Sequence, residues 1–95
     1  MPPSPRTADL RLTIPAAAPF HAVAGELAGK FAEYSGAEAG AAAEFARTVE
    51  KLADDLGAAA PNGSIALVME VREREMVVVA DTGARREEAA CPLPE

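Results

Sequence analysis

Two neighbouring stretches decide the fold: Ser64-Ile65-Ala66-Leu67-Val68-Met69-Glu70-Val71-Arg72 and Met76-Val77-Val78-Val79-Ala80-Asp81. In the first, Ile65, Leu67, Met69 and Val71 fall on every second residue, the period of a strand with one buried face. The second is apolar and largely β-branched. The charged break Glu73-Arg74-Glu75 between them predicts an antiparallel hairpin. A lone hairpin is marginal in water, so it needs further strands and a covering layer. Upstream, Leu10, Leu12 and Ile14 alternate with Arg11 and Thr13, predicting a third strand that Pro15 ends because it has no N–H to donate.

Between that strand and the hairpin the apolar period changes. Phe20, Val23, Leu27, Phe31 and Tyr34 are three or four residues apart, which predicts a helix from about 17 to 35 with this stripe as its core face. Pro19 suits its first turn. Ser35-Gly36 closes it, glycine supplying the left-handed conformation common at helix ends. A second helix is expected from about 37 to 57, with its stripe at Phe45, Val49, Leu52 and Leu56. The alanine runs 41–43 and 58–60 offer small surfaces for close helix packing, and Pro61-Asn62-Gly63 is turn chemistry. The predicted fold is a two-layer α/β sandwich in the order β-α-α-β-β, two helices on one face of a three-stranded sheet. Residues 1–8, with three prolines, are expected to form a disordered arm, 9–85 a single domain, and 86–95 a flexible tail.

Composition limits what such a domain does. Of its 95 residues 23 are alanine, leaving few bulky side chains for a core; a chain this short is thinly stable and gains from a partner or a second copy. A net charge of −6 argues against nucleic acid and anionic membranes, which need clustered Lys and Arg. One Cys and one His leave no disulfide framework and no Cys/His metal site within one chain. With no long apolar run and no signal-like start, a cytoplasmic protein is expected. On the hairpin, Ala66, Val68, Val77 and Val79 form a second apolar face that nothing in the predicted inventory covers. Such a patch points to an interface.

The order strand, helix, helix, hairpin, then Asp81-Thr82-Gly83, resembles the histidine-kinase-like ATPase (GHKL or Bergerat) superfamily, in particular bacterial anti-sigma-factor serine/threonine kinases. Three segments carry the resemblance: Leu10-Arg11-Leu12-Thr13-Ile14-Pro15 as the opening strand, Thr48-Val49-Glu50-Lys51-Leu52-Ala53-Asp54 as the Glu-x-x-x-Asn box, and Val77 to Arg85 as the Asp-x-Gly-x-Gly box. The resemblance implies Glu50 as a general base, Asp54 as a magnesium ligand, and Asp81 with Gly83 at the adenine of Mg-ATP. The chain departs from the pattern where Asp54 replaces the family's Asn and Arg85 its second Gly. Only ten residues follow Arg85, where the family has a lid and a further glycine-rich box.

Each of these residues also has a plain reading. Glu50 and Asp54 lie on the wet face of their helix, Asp81 caps its own turn, His21 is a boundary residue without a partner, and Cys91 is an inert thiol. The expectation is a regulatory protein-interaction domain without a competent ATP site and without a cofactor. It would bind a sigma factor, an anti-anti-sigma type protein or itself, through the outer hairpin face and the edge strand 10–14. The alternatives are a minimal Mg-ATP-dependent serine/threonine kinase, or an unrelated small dimeric α/β module.

Overall fold

A computed structural model describes residues 9–59 and 62–93. Strand β1 (Asp9–Pro15) leads through a short 3-10 turn (Ala18–Phe20) into α1 (His21–Tyr34), followed by α2 (Ala39–Ala59). Strands β2 (Ser64–Arg72), β3 (Glu75–Asp81) and β4 (Arg86–Pro92) complete the chain. All four strands are antiparallel, in the spatial order β1-β2-β3-β4, so β1 and β4 are the sheet edges.

The period-2 pattern sets the register. Leu12 faces Leu67 and then Ala80, while Leu10 faces Met69, Val78 and Ala89. These rows form the inner face of the sheet. Above them α2 lays down Ala42, Phe45, Val49, Ala53 and Leu56, all buried; of the expected stripe Phe45, Val49 and Leu56 are core, and Leu52 is half-buried beside it. Helix α1 ends on the expected glycine: Gly36 has φ +110, its N–H donates to the Glu33 carbonyl, and the N–H of Ala37 reaches back to Ala32.

Two expectations are corrected. The sheet has four strands, because residues 86–92 form β4 rather than a flexible tail. Glu87, Ala89 and Cys91 alternate inward against Ala80, Val78 and Met76, so the domain continues beyond residue 85. Alanine and glutamate are weak strand formers, and it is the apolar edge of β3 that recruits them. Residues 1–8 lie outside the described residues.

The second correction concerns α1. Its bulky stripe is not core: Phe20, Val23, Leu27 and Tyr34 are 41%, 42%, 38% and 83% exposed, and Phe31 is half-buried. The buried face consists of His21, Ala24, Gly25, Ala28, Gly29 and Ala32. Close approach explains the inversion. A Cβ on Gly25 would sit 2.6 Å from the Ala46 carbonyl oxygen, and one on Gly29 3.1 Å from the Ala46 Cβ. Where two backbones come this near, no large side chain fits, and α1 turns its bulk outward.

Candidate functional site

The four residues that carry the ATP reading fall into two pairs, Glu50 with Asp54 and Asp81 with Gly83, on different elements. Glu50 and Asp54 are on α2, on the inner side of the sheet. The Cβ of Glu50 lies 3.1 Å from the place a Gly25 Cβ would take, so Glu50 flanks α1. Asp54 gives its carboxylate to His21. Asp81 is opposite Ala66 and Arg86, in a row that faces away from the helices. Its carboxylate accepts the N–H of Gly83 at 2.6 Å, while Thr82 Oγ1 accepts the N–H groups of Ala84 and Arg85 at 3.3 and 3.1 Å. Gly83 takes φ +93, which the tight turn requires. Asp81 and Gly83 therefore build the β3–β4 turn and, with Ser64, Ala66 and Thr82, line an open depression of about 360 Å³.

His21 is not the partnerless boundary residue that the sequence suggests. It is 5% exposed. Its Nδ1 lies 2.5 Å from Asp54 Oδ1 and its Nε2 2.7 Å from the Ala16 carbonyl oxygen. Both partners are acceptors, so only a doubly protonated ring donates to both. Gly57 makes the room: a Cβ there would lie 2.8 Å from the His21 Nε2 and 2.6 Å from the Ala16 oxygen. One imidazole thus ties the exit of β1, the start of α1 and the end of α2. With both nitrogens engaged, it positions these elements and offers no free nitrogen to a substrate. No local pattern announces a pair 33 residues apart.

Cys91 is buried in β4, its Sγ 3.8 Å from the Ala41 carbonyl oxygen. Burial, and after it the charge of Glu44, push the thiol above its ordinary value of 9.0. This is a poor nucleophile.

Two surfaces remain for recognition. The outer sheet face is narrower than the sequence suggests. Ala66 is exposed, Val68 and Val79 are half-buried, and Val77 is 6% exposed. Charges frame this strip: Arg11 and Glu88 close the Val68–Val79 row, and Asp81 and Arg86 follow Ala66. The larger apolar surface is the outward stripe of α1. Gly25 and Gly29 face α2; at 100° per residue, Phe20, Val23, Leu27 and Tyr34 centre on the opposite side. Helix α2 packs on β2, β3 and above all β4, so the stripe points past the open edge of β1.

No protein-family model, curated protein or solved structure matches the chain. Among the described residues, no helix is long and apolar enough to cross a membrane.

Proposed function

We propose that this chain is a regulatory protein-interaction domain that works by docking, without a competent ATP site. One observation carries the reading: α1 anchors itself through alanine and glycine and, with Phe20 just before it, turns four large apolar side chains to solvent. An apolar stripe at helical spacing beside an open strand edge matches two common modes of protein recognition, helix packing and strand addition. The resemblance suggests a sigma factor or an anti-anti-sigma type protein as the partner class. The separation of Asp54 from Asp81, the one bonded to His21 and the other to the Gly83 N–H, supports docking over phosphoryl transfer, which depends on converging groups.

The test is the double substitution Val23→Lys and Leu27→Lys. Both sites are on the solvent side, so unfolding free energy should change by less than about 0.5 kcal/mol, while assemblies of the chain, with itself or with a native partner, should be lost. A loss of several kcal/mol would place these residues in the core and overturn the reading. So would unaltered assembly. Millimolar Mg-ATP should leave the melting temperature unchanged; a clear rise would restore the kinase alternative.

A further inference from the structure

We infer that the open edge of β1 pairs with β1 of a second copy about a two-fold axis through Leu12, joining two four-stranded sheets into one of eight strands. This rests on the docking reading above and names its partner. In an antiparallel ladder every second residue exchanges hydrogen bonds with its neighbour. The N–H of Ala16 donates to the Gly63 carbonyl at 3.0 Å, one step beyond the Pro15–Ser64 pair. By alternation Leu10, Leu12 and Ile14 bond to β2, while the N–H groups of Arg11 and Thr13 face the open edge. Pro15 falls on that outward set, where its missing donor breaks no bond within the sheet.

The strand is self-complementary in that register. Leu12 is the middle of its seven residues, so all seven find partners. Leu12 meets its own copy, Leu10 meets Ile14, Arg11 meets Thr13, and Asp9 meets Pro15. Apolar faces apolar on the helix side, Arg11 faces Thr13 on the outer side, and no like charges are opposed. Shifting the copy by two residues to centre on Arg11 would oppose two guanidinium groups. The axis stands perpendicular to the sheet, so both helix layers stay on one side. The α1 stripes, which point past this edge, then face each other across the seam. The other edge, β4, carries Arg86, Glu87 and Glu88 and ends at Pro92, features that discourage pairing.

The test uses the full chain. Sedimentation at about 100 µM should give twice the 9.8 kDa chain mass. In a Cys91→Ala background, Leu12→Cys should form an intermolecular disulfide at least tenfold faster than Leu10→Cys, because non-hydrogen-bonded antiparallel partners lie within disulfide reach and residues two positions off the axis do not. Thr13→Pro removes an outward N–H and no bond to β2, so it should yield a folded monomer; circular dichroism checks the fold. A monomeric wild type, or a dimer in which Leu12→Cys fails to cross-link, overturns the inference. A monomer that still loses a native partner on Val23→Lys and Leu27→Lys refutes the second copy and leaves the docking reading standing. A dimer that cross-links at Leu12→Cys yet is insensitive to those substitutions keeps the β1 seam and overturns the docking reading of α1.

Discussion

His21 is the residue on which three elements converge, and its removal should cost more than its surroundings suggest. His21→Ala leaves a hole and strips the Ala16 carbonyl of its donor, so urea unfolding should show a loss of about 2–4 kcal/mol. Asp54→Asn should cost only about 0.5–1 kcal/mol, because the Asp54 side chain is 59% exposed and water takes over much of its role. Equal losses would show that the hydrogen bond to Asp54, and not ring burial, holds the three elements. Cys91 has a pH signature. Its folded thiol ionises above 9.0 and its unfolded thiol near it, so its contribution is complete below that pH. It is lost as pH rises further, because the unfolded chain ionises first. The stability difference between the wild type and Cys91→Ala should therefore shift against the wild type above pH 9, and native labelling at pH 8 should be slower than in urea. The inertness of Cys91 was legible in the sequence, although its place in a strand was not. The His21–Asp54 bond was illegible because pairing across 33 residues is a property of helix packing and leaves no periodic trace.

At the scale of elements, the helix pair gives opposite expectations for two glycines. Gly25→Ala pushes a methyl against the Ala46 carbonyl and should destabilise by about 1–3 kcal/mol despite the better helix propensity of alanine. Gly40, in the first turn of α2, has nothing within 4 Å of an added Cβ, so Gly40→Ala should stabilise by about 0.5–1 kcal/mol. Chemical denaturation of both variants checks the pair, and a shared sign would refute the close-contact account of α1. The sequence carried the first three strands, the glycine closure of α1 and the core stripe of α2, since each follows from local period or turn chemistry. It misled on α1, where the bulky stripe has perfect helical spacing. Periodicity shows that a helix has two faces; which one is buried is settled by how near the next backbone comes. Strand β4 was hidden for a related reason: alanine and glutamate pair here because β3 offers an apolar edge.

The whole molecule is a slab, 39 × 35 × 16 Å, and a slab of this size gains much from a second copy. If β1 closes the seam, the melting temperature should rise with protein concentration, which a monomer would not show. Each chain carries −6, so association should strengthen between 0.05 and 0.5 M salt as long-range repulsion is screened; weakening with salt would point to an interface built on ion pairs. The architecture of two helices over an antiparallel sheet was legible at this scale, because alternating and helical stretches follow one another cleanly along the chain. The joining of helix to helix through alanine and glycine has one more consequence. Such residues have no side-chain torsions to freeze, so the contact forms with almost no loss of rotamer freedom and depends on backbone shape alone. The outer stripe of α1 is thereby released from structural duty. Its side chains can be exchanged one at a time, by evolution or by a designer, while the scaffold beneath stays put.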